Sequence, residues 1–398
     1  MAHTLWLAAA AGITTLLVAC GGGGGDSAPA PSTPAPTATP TSFSGTITGF
    51  GSLIVNGVRI DNSAAKTTLD DDNPNAGADD IRLGMVVAIE GERDNSGATG
   101  RATSIAARSF VQGPISSINV AGNTLTVLGV VVTVSPSTVF DGNGLTGLAV
   151  LSINDTVEVH GLPDATGAHL KATRIEKKAP TAEIRLTGVV QGATATSFTI
   201  NGITVQFTPA ALVNLPSGVI NGAVVRVKGT LTAPTVIAAA RVRGTTLIPA
   251  IPQGQRAELE GVITKFTSAT DFEVSGLRVT VPSTATVSGT PTLGARVEVK
   301  GAVANGVLVA TQVEVEDEAH EANEANELHG TISSLDKAAQ TFVLSSGGGV
   351  TVKWNSATVF DNATLPRGAD DLAAGMRLEI RGKVSGNVVL ASRIKRDN

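Results

Sequence analysis

The chain repeats itself, and no other feature limits its fold as strongly. A Gly followed by apolar residues recurs as Gly45-Thr46-Ile47, Gly113-Pro114-Ile115, Gly188-Val189-Val190, Gly261-Val262-Ile263 and Gly330-Thr331-Ile332. The copies lie about 70 residues apart, long enough for each to be one supersecondary unit. Whatever one copy folds into therefore decides most of the 398 residues.

Each copy reads as β. Leu53-Ile54-Val55-Asn56-Gly57-Val58-Arg59-Ile60 and Phe198-Thr199-Ile200-Asn201-Gly202-Ile203-Thr204-Val205 place Asn-Gly between alternating apolar residues. That is a hairpin signal, because both turn residues must take positive φ. Copy 2 has Leu128-Gly129 at this place, copy 4 has Ser275-Gly276, and copy 5 lengthens the turn to Ser345 through Gly349. A fourth strand follows as Gly294-Ala295-Arg296-Val297-Glu298-Val299-Lys300-Gly301, repeated over 84–91, 222–229 and 375–382, with Asn154 in place of the first Gly in copy 2. Alternation such as Leu378-Glu379-Ile380-Arg381 predicts one face inside and one in water. A fifth strand carries Ala three residues before an apolar one: Ala102/Ile105, Ala172/Ile175, Ala239/Val242, Ala310/Val313 and Ala391/Ile394.

The connection between third and fourth strands, about 15–25 residues, is long for a hairpin and is expected to cross a barrel end, with a helical turn. The expected fold is all-β: five tandem small five-stranded barrels of OB-like type over 43–109, 110–178, 184–243, 257–316 and 327–396. Small β-sandwiches are the alternative. Closure would hide the edges of these Val- and Ile-rich strands. A unit of about 60 residues is marginal alone, which gives neighbours a reason to pack together.

A different segment precedes the repeats. Residues 5–19 are uncharged and apolar, too short to span a bilayer comfortably and suited to the core of a signal peptide over 1–19. Leu17-Val18-Ala19-Cys20 resembles the bacterial lipobox, in which the thiol of Cys20 would take a diacylglyceryl group, with palmitate among the expected acyl chains. The pattern departs in one respect: Met1-Ala2-His3-Thr4 has no Lys or Arg. Residues 20–42, rich in Gly and Pro, cannot bury a core and read as a disordered tether. Gly21 after the Cys, by resemblance to diderm lipoproteins, implies the outer membrane, on either face. The expected partner is thus the membrane, through lipid on Cys20, with an envelope protein or polymer beyond it.

Together these motifs resemble the bacterial lipoproteins built from the domain-of-unknown-function 5666 family. Ser44-Gly45-Thr46-Ile47-Thr48-Gly49-Phe50-Gly51-Ser52 leading to Asn56-Gly57-Val58 carries the resemblance best, and it extends over 43–396. It implies a fold and brings no catalytic residues with it.

Composition narrows the chemistry. The single Cys excludes an internal disulfide framework, and a net charge of −5 does not suggest a nucleic-acid binder. The run between Glu314 and Glu327 holds seven acids and no Lys or Arg, so the negative balance is local, in a linker. There is no Tyr, and beyond the leader Trp354 is the single Trp; Phe140, Phe198, Phe272, Phe342 and Phe360 read as core. Stacking platforms for single strands are therefore not expected. Outward positions of the fourth strand (Ala88, Glu158, Arg226, Glu298 and Glu379, then Glu90, His160, Lys228, Lys300 and Arg381) differ between copies, so no acid, base or nucleophile is common to all five. The expectation is a protein that is no enzyme, with no catalytic residues, resident cofactor or structural metal.

The weaker matches are few. Asp70, Asp141 and Asp361, with Asn214 and Gly289 in the other copies, read as turn residues. Asp70, Asp71, Asp72, Asp79 and Asp80 could gather oxygens for Ca²⁺, and repeat 5 has Asp370-Asp371, but the EF-hand register fails at Ala76 and Arg82. Solute or Ca²⁺ binding by the acidic loops of repeats 1 and 5 is the alternative function. Gly142-Asn143-Gly144-Leu145-Thr146-Gly147 lacks the long helix of a dinucleotide site, and Ser63-Ala64-Ala65-Lys66 lacks its partner motifs. His320 and His329 with nearby acids form a loose metal candidate in a linker.

Overall fold

The computed structural model describes residues 38–70, 73–77, 80–94, 97–142, 144–180, 183–247, 254–316, 326–345, 349–385 and 388–397. The signal peptide, Cys20, most of the tether, Asp71, Asp72, Asp79 and His320 lie outside the described residues.

Every repeat is a closed barrel with OB strand order. In repeat 1 the opening strand Thr39–Phe50 pairs antiparallel with the fourth strand Val86–Arg93 through its first half, and with the second strand Leu53–Val55 through its second half. Leu53–Val55 pairs with the third strand Val58–Asp61, which lies parallel to the fifth strand Thr99–Ala107, and the fifth returns antiparallel to the fourth. The other four repeats follow the same circuit; in repeat 3 the first and second strands meet through the single bridge Gln191 to Thr199. The barrel expectation holds and the sandwich alternative falls away.

The recurrent residues explain the closure. The hairpin turns take the positive φ pair in Asn56/Gly57, Leu128/Gly129, Asn201/Gly202 and Ser275/Gly276. The residue opening the fourth strand has positive φ in every copy, and Asn154, at φ 71°, is the side chain that best tolerates what Gly84, Gly222, Gly294 and Gly375 do. Its amide donates to the opening strand each time, as from Gly84 to Ile47 and from Gly294 to Ile263 at 2.8–2.9 Å. Within the fourth strand, Gly91, Gly161, Gly229, Gly301 and Gly382 sit where the ladder to the fifth strand shifts register, each opposite the recurrent Ala. A Cβ on any of these five glycines would come closer than 3.0 Å to a carbonyl oxygen of the fifth strand. The extra residue of the bulge is tied back in repeats 1, 4 and 5, where Thr103, Thr311 and Ser392 donate to the carbonyls of Glu90, Lys300 and Arg381.

Two expectations need correction. The long connection holds a sixth, short strand parallel to the fifth: Lys66–Leu69, Val139–Asp141, Leu212–Val213, Thr286–Ser288 and Val359–Phe360. The anticipated helical turn is a 3₁₀ turn in repeats 2, 3 and 5. Nor does closure hide every edge. The first half of the opening strand has only the fourth strand beside it, and its other edge joins repeats together. Thr41–Ser44 of repeat 1 runs parallel to 256–259 of repeat 4. Gln112 and Val111 of repeat 2 pair with Arg185 and Leu186 of repeat 3. Glu327 and Leu328 of repeat 5 pair with Gly49 and Phe50 of repeat 1.

The repeats are thus packed together rather than strung out, with repeat 1 touching all four others. Repeats 1 and 5 share one apolar core, repeats 2 and 3 share a second, and repeat 4 keeps its own. Merging cores is the physical answer to small unit size.

Candidate functional site

The barrel exteriors carry the chemistry. The outward positions of the fourth strand, expected in water, are buried at Glu158, His160, Arg226 and Glu379. Charged groups gather in three clusters.

The first lies where repeats 1, 2 and 3 meet. Asp70, in a turn at φ 52°, accepts from the amide and hydroxyl of Ser109 at 3.0 Å, and pairs with Arg226 and with Arg185 at 3.0 Å, both from repeat 3. Burial alone would raise its pKa, but Arg226, Arg185 and His160 outweigh it and hold the carboxyl at about 2. Glu158 faces His160 at 3.3 Å and Arg185 at 3.4 Å. Against its burial, His160 and Lys178 keep it below the usual carboxylate range. Arg174 pairs with Asp141 and with Glu176 at 3.2 Å. Asp70, Asp141, Glu158, Arg174, Glu176 and Arg185 help to line a cavity of about 630 Å³ bearing five carboxylates and five cationic side chains. Its lining is charged yet balanced, with no excess of either sign.

The second lies where repeats 1 and 4 meet. Glu260 accepts from the Thr46 amide at 2.6 Å and its hydroxyl at 3.1 Å, and from Arg296 Nε at 2.6 Å; Arg296 also reaches Glu316 at 2.8 Å. Glu258 pairs with Arg93 of repeat 1, and Glu298 with Lys300 at 3.0 Å. Here burial wins. It raises Glu258 against Arg93 and Lys300, and it pushes Glu298 up to about 7 with help from the charges of Glu258 and Glu260.

The third surrounds His329, 1% exposed between repeats 1 and 5. Glu327, His329 and Glu379 have ligand-capable atoms within 4.8 Å of one another. His329 Nε2 lies 2.7 Å from Glu327 and Nδ1 2.9 Å from Asp397, with Arg59 2.6 Å from Nε2. Arg381 holds Glu327 at 2.8 Å and Lys395 holds Glu379 at 2.5 Å. A metal ion would have to displace these cations, so the cluster fits an interrepeat ion-pair network better than a coordination site.

The other sequence candidates separate. Asp70 is engaged by two guanidinium groups, not aimed into an oxygen cage, and exposed Asp80 accepts from the Gly77 amide at 2.9 Å. In repeat 5, Asp361 is held by Arg393 and Asp371 by Arg367. Ser63 to Lys66 is a turn running into a strand, and the Gly142–Gly147 segment leads into a three-residue 3₁₀ turn. Phe198, Phe272, Phe342 and Trp354 are core, but Phe140 and Phe360 are half-buried on the short strands. The residues that sequence reasoning missed are the junction arginines and glutamates. Their signal was a charge present at an outward position in some copies and absent in others.

A family model described as Domain of unknown function (DUF5666) matches the chain five times, at 44–106, 112–176, 187–243, 260–314 and 329–395. No curated protein matches it. Among solved structures, one described as "drosophila Unr CSD456" is similar at 17% identity and a TM-score of 0.16, covering 54% of this chain and 100% of that one.

Proposed function

Since the chain belongs to the DUF5666 family, in five tandem copies, we propose that it is an exported, lipid-anchored envelope protein whose packed barrels form a non-enzymatic binding or spacer module. The observation that carries this reading is how the polar side chains are used. At equivalent outward positions the five barrels share no one charged group, and the buried ones are engaged with groups of neighbouring repeats or of their own barrel. A charge locked in a junction holds a body together; it is poorly placed to turn over a substrate. The lipobox-like Leu17-Val18-Ala19-Cys20 and the Gly- and Pro-rich stretch after it supply anchor and tether, placing the module at the outer membrane. A solute-binding reading would use the mixed-charge cavity; its Ca²⁺ version would depend on Asp71, Asp72 and Asp79, since Asp70 is committed to Arg226 and Arg185.

Replacing Cys20→Ser removes the acyl acceptor. We expect the variant to move from the membrane to the soluble fraction of fractionated cells. A variant that still sediments with membranes defeats the anchored reading.

A further inference from the structure

One junction is built from parts that occur twice. In repeat 1 the turn entering the fourth strand is pressed into repeat 2. Leu83 is 4% exposed, and Arg174 NH1 donates to its carbonyl at 3.1 Å. A Cβ on Gly84 would meet Thr173 O at 2.5 Å, Arg174 Cβ at 3.0 Å and Val139 Cγ2 at 3.1 Å. The seat is the short strand Val139–Asp141 beside the fifth strand, with Arg174 paired to Asp141. This burial comes from the docking and not from the barrel. At the position of Leu83 the other four repeats are exposed, and Gly222, Gly294 and Gly375 have nothing within 4 Å.

Among the described residues the second set of parts is unused. Repeat 4 repeats the Leu-Gly turn as Leu293-Gly294, with Leu293 66% exposed. Repeat 5 repeats the seat as Val359-Phe360-Asp361, in the same register: Val359 pairs with Arg393 as Val139 pairs with Arg174. Arg393 holds Asp361 at 2.6 Å, as Arg174 holds Asp141, and Val359 is 60% exposed. The remaining turns do not fit. Asn154 would put a Cβ where Gly84 leaves no room, and the residues before Gly222 and Gly375 are Asn and Ala. The short strands of repeats 1, 3 and 4 lack the Val-Phe-Asp sequence.

We propose that the Leu293-Gly294 turn of one copy of this chain docks into the Val359 and Arg393 seat of a second copy. Residues 289–295 carry no ionisable side chain, so the turn enters without desolvating a charge of its own. Arg393 is placed to donate to the Leu293 carbonyl while keeping Asp361. Turn and seat are different surfaces, so the contact is head-to-tail, and each added copy presents a fresh turn and a fresh seat.

Sedimentation velocity of the full chain tests this between about 10 μM and about 1 mM, where a contact smaller than a standard interface becomes populated. Wild type should pass beyond dimer as concentration rises. Leu293→Asp and Val359→Asp, both at exposed positions and each with unchanged far-UV circular dichroism, should be monomeric across the range. A mixture of the two should form a dimer and stop there, because one variant keeps the seat and the other the turn. A wild type that stays monomeric, or association that survives either substitution, as association through residues 5–19 would, overturns the proposal.

Discussion

At the residue scale, the five glycines at the bulges of the fourth strands show how one atom sets the closure. Gly301 lies at the bulge where the fourth strand of repeat 4 bends against the fifth, and a Cβ there would come closer than 3.0 Å to the Val309 carbonyl oxygen. Backbone cannot give way as a flexible side chain can. Gly301→Ala should therefore destabilise repeat 4 by about 1–3 kcal/mol, read by denaturant unfolding. An unchanged midpoint would mean that the bulge is not the reason for glycine there. Such positions were legible because every copy has the same local problem and solves it with the same residue. Arg226, Glu158 and His160 were not. The lack of one common residue across the copies resembled solvent exposure, whereas these side chains face groups of other repeats or of their own barrel. A charge that meets a unique partner has no reason to recur.

At the scale of elements, alternation revealed the long strands and their hairpins, but not the short strands. Val359–Phe360 is two residues long, below any readable period, and its place is fixed by tertiary pairing with the fifth strand. The open edge of the opening strand was also hidden, because a sequence shows how a strand alternates and not how much of each side is paired. That edge carries the junction of repeats 1 and 4, and Glu260 pins it by accepting from the Thr46 amide and hydroxyl. Glu260→Ala leaves Arg296 buried with one carboxylate fewer. Hydrogen exchange at 41–44 and 256–259 should then speed up together, on the order of tenfold or more, while 111–112 and 185–186 keep their protection. Equal acceleration at both pairs of segments would show that the junctions do not open independently.

At the scale of the whole molecule, the junctions respond to pH in opposite directions. Asp70 is held at about 2, below its unfolded value near 3.8. The stability it brings to the meeting of repeats 1, 2 and 3 is present above that unfolded value and lost as pH falls toward 2. Glu298 is raised to about 7 from 4.5, and Glu258 is raised as well. The folded form of repeat 4 therefore binds more protons than its unfolded form between these values. Its stability is fully present below about 4.5 and declines as pH rises to about 7, by a few kcal/mol at most for a shift of this size. Repeat 4 is also the repeat with an apolar core of its own, joined to repeat 1 by a strand edge and a carboxylate-rich cluster. Mild alkali should thus release repeat 4 before the rest, and acid should loosen the meeting of repeats 1, 2 and 3 first. Glu298→Gln removes the charge that burial opposes while keeping the shape of the side chain. Repeat 4 of this variant should exchange amide hydrogens more slowly than wild type at pH 8 and at nearly the wild-type rate at pH 4.5, with repeats 2 and 3 unaffected at both. If the variant and wild type respond identically across that range, burial of Glu298 does not control how repeat 4 is held.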